Sequence, residues 1–283
     1  MPLEVALPDS SLSDCSDLRQ KTIKTGQIAR ALAVFKIDKV TLYETKSGEN
    51  NLRDLNLFEK LLRYMDTPQY LRRDVFPMTP SLKYAGLLPP LRIQSHPLGT
   101  TLDEVEDGEF RWGIQKQSGY VDIGLEDSIE YDKDIRTRVP TIFQVHKSRN
   151  QVRLEPTTRE SIDHYFGLDI QRISNLTDYL EKNSLKTRIV FSRMGTTFSK
   201  IQNEIESVVR TTRNIITAFG GPHSGVRDLV QEKDALKQNV DFWVNMIPNQ
   251  GTETVRLEEA LWISLGQFNT LFGDLITKRG YYK

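Results

Sequence analysis

IITAFGGPHSGVRDLVQEK, residues 215–233, decides the fold class. A short apolar and β-branched run, 215–219, stops at a glycine pair, and a helix-compatible stretch opens after Gly225. That is the texture of a strand, a tight loop and a helix. The same alternation surrounds it. Strands are predicted at 165–170, 188–191 and 242–247, and helices at 175–182, 198–209, 226–233 and 255–268. Strands separated by helices of that length imply a mostly parallel sheet with helices on both faces.

Farther towards the N-terminus the pattern repeats. KTIKTGQIARALAVF, 21–35, sets Ile23, Ile28, Leu32 and Phe35 near one helical stripe. DKVTLY, 38–43, reads as a buried strand, and NLRDLNLFEKLLRY, 51–64, as a second amphipathic helix. Prolines then cluster at 77, 80, 89, 90 and 97. Beyond them the runs FRWGIQ, GYVDIGL, TRVPTIFQVH and NQVRLE suggest a small antiparallel barrel or sandwich. The organisation expected is an α/β domain, 1–88 and 160–283, split by an inserted β domain, 89–159.

Composition narrows the class. In 283 residues, 38 Lys and Arg balance 38 Asp and Glu, so the chain is no polycation that coats nucleic acid indiscriminately. No run approaches the ~20 apolar residues of a membrane span. The first residues lack the basic start of a secretory signal. The single cysteine, Cys15, excludes a disulfide framework and a cysteine zinc site, and four scattered histidines lack metal-ligand spacing. A soluble protein of a reducing compartment, the cytoplasm, is expected, with no metal and no membrane partner.

Three loops carry the candidate chemistry. Phe219-Gly220-Gly221-Pro222-His223-Ser224-Gly225 brings backbone N–H groups and a helix start near a ligand. It lacks the Gly-Lys-Ser/Thr of a nucleotide triphosphate loop and the dinucleotide-binding glycine fingerprint. Ile247 to Thr254 offers Gln, Gly and Thr partners at the carboxyl edge of a sheet, where open α/β folds bind ligands. Ser192-Arg193-Met194-Gly195 follows a third strand.

The segments GQIARALAVF, TAFGGPHSG and NMIPNQGTETVRLEEAL resemble, in that order, the three motifs of the SPOUT-superfamily RNA methyltransferases. YLRRDVFP, LKYAGLLPPL and GYVDIGL are similar to its archaeal and eukaryotic subfamily of RNA uridine-N3 methyltransferases, and without a long Lys-rich N-terminal extension the chain looks more like the archaeal form. The resemblance implies a trefoil-knotted α/β domain interrupted by an OB-like barrel, and a homodimer. It implies S-adenosyl-L-methionine held by Ser192, Arg193, Gly195, Phe219, Gly220, Gly221, Gly225, Met246, Ile247, Gly251, Thr252 and Thr254. It also places a functional arginine at Arg30, reaching across the dimer interface towards the substrate.

Methyl transfer to the N3 of uridine requires loss of the imide proton, which a nearby cation favours. Arg30 and Arg256 are the cationic candidates, and no histidine or carboxylate stands out as the base. For RNA, expected to be ribosomal, the phosphate-binding candidates are Arg72, Arg73, Lys83 and Arg92, in a stretch with a net charge of +4 from Lys60 to Arg92. In the insert, Lys133, Arg136, Arg138, Lys147, Arg149 and Arg153 face only Asp134, and Phe110, Trp112, Tyr120 and Phe143 are possible stacking platforms. The competing reading is a non-catalytic RNA-binding or ribosome-assembly factor that keeps the same fold.

Overall fold

The computed structural model describes residues 2–45, 49–133, 135–148, 151–212 and 214–275. Asp134 and Arg149 of the basic stretch therefore lie outside the described residues. The chain begins with β1 (Leu3–Pro8), α1 (Leu18–Val34), β2 (Lys39–Tyr43), α2 (Glu49–Asp66) and the short α3 (Arg72–Val75). The antiparallel strands β3 (Glu109–Gln117), β4 (Tyr120–Asp122), β5 (Ile129–Glu130), β6 (Thr141–Ser148) and β7 (Gln151–Thr157) follow. The alternation resumes with β8 (Asp169–Ile173), α4 (Leu176–Lys182), β9 (Thr187–Thr197), α5 (Phe198–Thr212) and β10 (Ile215–Ala218). It ends with α6 (Val226–Leu229), α7 (Lys233–Gln238), β11 (Phe242–Asn245) and α8 (Leu257–Phe272).

Six strands form one sheet in the order β11-β9-β10-β1-β2-β8, and every pairing is parallel. Alternation along β1 assigns its two faces. Leu3, Val5 and Leu7 join a core with α1, α2, α5 and α8, whereas Ala6 joins a smaller core with α4, α6 and α7. Helices therefore cover both faces, as parallel sheets require. The second sheet, β5-β4-β3-β6-β7, curls until its edge strands β5 and β7 meet.

One strand is added where none was predicted, and two expectations need correction. β1, central in the sheet and paired with both β10 and β2, was not anticipated. Its buried Glu4 breaks the apolar run, and that carboxylate is accommodated by Thr41, Tyr179 and Lys186. The helix expected at 226–233 stops at Leu229, because Val230 turns extended (φ −94°, ψ 159°) to bury its side chain. The strand expected at 165–170 starts late, at Asp169. Gly167 takes φ +98° there, where a Cβ would strike the Asp66 carboxylate.

The two sheets are fastened at this junction. Asp66 accepts from Arg159 (2.5 Å) and from the Leu168 N–H (2.7 Å), and His96 Nε2 donates to the Asp66 carbonyl (2.8 Å). Tyr70 donates to the Trp112 carbonyl at 2.7 Å. Phe110 and Trp112 pack around Phe166, and Phe143 is fully buried in the curled sheet's core. Of the four aromatic platforms expected, only Tyr120 is exposed.

Candidate active site

The carboxyl ends of β9, β10 and β11 meet at a cavity of about 600 Å³. Its first wall is a bulge. Trp243 pairs with Val190 but Val244 pairs with Thr196, so residues 191–195 leave the ladder. Ser192 and Arg193 line the cavity, and Arg193 Nη1 donates to the Glu253 carbonyl at 2.9 Å, tying the first wall to the third. Gly195 does not line it. A Cβ there would lie 2.6 Å from the Val244 N, so this glycine permits β9 to return against β11.

The second wall is the glycine loop. Phe219, Gly220, Gly221 and Gly225 all line the cavity. The loop closes on itself through the Gly221 N–H and the Ser224 carbonyl (2.9 Å). A Cβ on Gly220 would sit 2.7 Å from that carbonyl oxygen and 2.9 Å from the Gly225 Cα. Its start is fixed from across the sheet: the Phe219 N–H donates to the Ala6 carbonyl, and the buried Tyr43 hydroxyl donates to the Phe219 carbonyl (2.7 Å). Burial, with the Asp9 charge added, raises the Tyr43 pKa far above the ordinary phenol value, so it remains a donor.

The third wall contains Met246, Ile247 and Thr254, and α8 contributes Leu257, Ala260 and Ser264. Gln267 holds the Met246 carbonyl at 3.0 Å. Thr252 and Gly251 are exposed and lie off the cavity, and a Cβ on Gly251 would meet nothing within 4 Å. The Thr252 hydroxyl donates instead to the Thr254 carbonyl, a contact that shapes the loop. Tyr43, Trp243 and Gln267 were missed in the sequence. Tyr43 and Phe219 lie 176 positions apart, and no local pattern joins them.

The arginines divide sharply. Arg256 precedes α8, its N–H donating to Glu259 Oε2 (2.9 Å), and its side chain is exposed beside a second cavity. Arg30 donates to the Leu91 carbonyl (2.5 Å) and the Pro90 carbonyl (3.3 Å), so within this chain it holds the crossover towards the curled sheet. Arg72 lies over the Tyr64 ring and donates to the carbonyls of Thr67 and Met65. Arg73, Lys83 and Arg92 are exposed. Among the described residues there is no cluster of three or more metal-ligating side chains, and no helix is long and apolar enough to cross a membrane.

A parallel sheet with a looped cavity at its carboxyl edge is the arrangement in which open α/β folds bind small molecules. The family described as "Putative RNA methyltransferase" matches residues 2–268, and the chain belongs to that family: it is an RNA methyltransferase. An uncharacterized protein of Halobacterium salinarum is 32% identical over 289 residues, which cover 94% of this chain and 98% of that one. A second, from Haloarcula marismortui, is 30% identical over 288 residues, with the same coverage. The human 28S rRNA (uridine-N(3))-methyltransferase is 26% identical over 299 residues, covering 93% of this chain and 76% of the human one.

Proposed function

We propose that the enzyme takes the methyl group of S-adenosylmethionine and delivers it to the N3 of a uridine in ribosomal RNA. The observation that carries this reading is the cavity of about 600 Å³ between the three loops, large enough for a nucleoside-sized donor. Two features fit that group. Gly220 lets the loop backbone fold tightly against the cavity, where a Cβ would strike the Ser224 carbonyl, and Trp243, which also lines the cavity, has a buried indole N–H with no acceptor among the described residues. The Gly220 and Gly221 backbone, Met246, Ile247 and Ser264 would hold the donor, which supplies a methyl group on a positively charged sulfur.

The chain's own work is positioning, since a direct displacement needs two reactants aligned. Phe191, Phe219, Met246 and Leu257 give the cavity an apolar lining on one side. Tyr43 fixes the loop carrying Gly220, and Arg193 with Glu253 closes one side. The strand order, with β10 entering between β1 and β9, is compatible with the trefoil knot, and the five curled strands with an OB-like insert. Val34, Trp262 and Ile263 stay about two-fifths exposed near the α1–α8 contact, which supports a homodimer through that face. Arg73, Lys83 and Arg92 are the cations available to RNA phosphates. The free thiol of Cys15 suits a cytoplasmic setting.

Titration calorimetry with S-adenosylmethionine tests the cofactor reading. One site per chain, with a Kd on the order of micromolar, is expected; no heat of binding at millimolar donor would overturn it.

A further inference from the structure

A second cavity, of about 480 Å³, lies against the first. Pro222, His223 and Thr254 line both, so the two cavities adjoin at these three residues. The far side of the second cavity is built by the turn before α1 and the first turns of that helix. At its centre Lys24, only 4% exposed, places its ammonium 2.6 and 2.7 Å from the two Asp14 oxygens and 3.1 Å from Glu258 Oε2. Both Asp14 oxygens are thus paired with Lys24. Glu258 Oε2 is buried and, among the described residues, accepts no hydrogen bond of good geometry despite its nearness to Lys24. Arg256 and Gln27 add two further donors, and Ile23 adds an apolar surface.

This set matches one kind of flat, polar ligand. The pairing edge of a uracil base presents a carbonyl, an imide N–H and a second carbonyl, whereas cytosine presents a carbonyl, a bare nitrogen and an amine. A carboxylate flanked by donors complements the first edge and opposes the second. We propose that this second cavity receives the uracil base that is methylated, with Glu258 as the general base and the exposed Arg256 as the cation that steadies the base's developing negative oxygen. The proposal rests on the uridine-N3 reading above and deepens it. In the step, the N3–H bond gives its proton to the Glu258 carboxylate and the freed pair on N3 bonds the methyl carbon. The carbon–sulfur bond of the sulfonium donor breaks, and its electron pair stays on sulfur as a neutral thioether. Glu258 then returns its proton to solvent.

Saturation-transfer NMR on the full chain, loaded with S-adenosylhomocysteine, tests this with uridine and cytidine 5′-monophosphates as probes. The wild-type chain should hold the uridine nucleotide at least about fivefold more tightly. In Glu258→Gln, which offers both an amide donor and an acceptor, that preference should collapse while S-adenosylhomocysteine affinity stays within about twofold. The same variant, given tritiated S-adenosylmethionine and saturating RNA from cells that lack the enzyme, should transfer methyl about 100-fold more slowly. Equal binding of the two nucleotides by the wild-type chain, or full activity in a folded Glu258→Gln variant, overturns the proposal. Failure of the wild-type chain to bind S-adenosylhomocysteine strikes instead at the cofactor site.

Discussion

Gly220 and Gly251 look alike in the sequence, each a glycine in a polar loop after a strand, yet they differ in what a side chain would meet. The Gly220 cradle is walled by backbone at 2.7 and 2.9 Å, and the space around Gly251 is open. Gly220→Val should therefore abolish S-adenosylmethionine binding in calorimetry, and Gly251→Val should leave it within about threefold; loss in both or in neither would contradict this geometry. Cys15 makes a second residue-scale case. Burial, with the Asp14 charge beside it, pushes its thiol up to about 11. Iodoacetamide at pH 8 should then label the folded chain on the order of 100-fold more slowly than free cysteine. A rate equal to free cysteine would mean that the turn before α1 opens readily. The sequence marks a glycine's freedom but not the neighbours that use it.

Among the elements, helices with a strong apolar stripe were legible, and those governed by distant partners were not. α1, α2, α5 and α8 lie within a few residues of their predicted spans. β1 was hidden by Glu4, whose partners come from 37 to 182 positions away. The Tyr64 ring beneath Arg72 was likewise not legible in the sequence. The loop supports follow the same logic. Tyr43→Phe removes one buried donor and leaves the Phe219 carbonyl unpaired, a cost of about 1–3 kcal/mol. It should weaken S-adenosylmethionine about tenfold, with little change in the far-ultraviolet spectrum; unchanged affinity would free the loop from β2. Arg30→Ala should lower methyl transfer at least about tenfold while leaving donor affinity nearly unchanged, because it releases the carbonyls of 90 and 91. A dimeric variant with full activity would limit Arg30 to tethering the crossover at Pro90 and Leu91.

At the scale of the whole molecule, the Asp66 junction joins the two sheets. Burial depresses the His96 pKa below its ordinary 6.5, and the nearby Arg72 and Arg159 charges add to this against a partial offset from Asp66. The unfolded chain therefore takes a proton first, and stability is lost as pH falls from about 7 through 6.5 and below. His96→Gln should flatten that slope in thermal melts between pH 7 and 5; an unchanged slope would move the acid sensitivity elsewhere. The class of fold and the three-loop site were readable from spacing because parallel sheets and glycine loops leave local patterns. The junction and the second cavity were not, since each is assembled from segments far apart in the chain. The central claim is that this chain puts a methyl group on uridine N3. Mass spectrometry of nucleosides from ribosomal RNA, with and without the gene, tests it most directly. One 3-methyluridine should disappear on deletion and return with the wild-type gene but not with Gly220→Val. An identical 3-methyluridine content in the two strains would contradict the account.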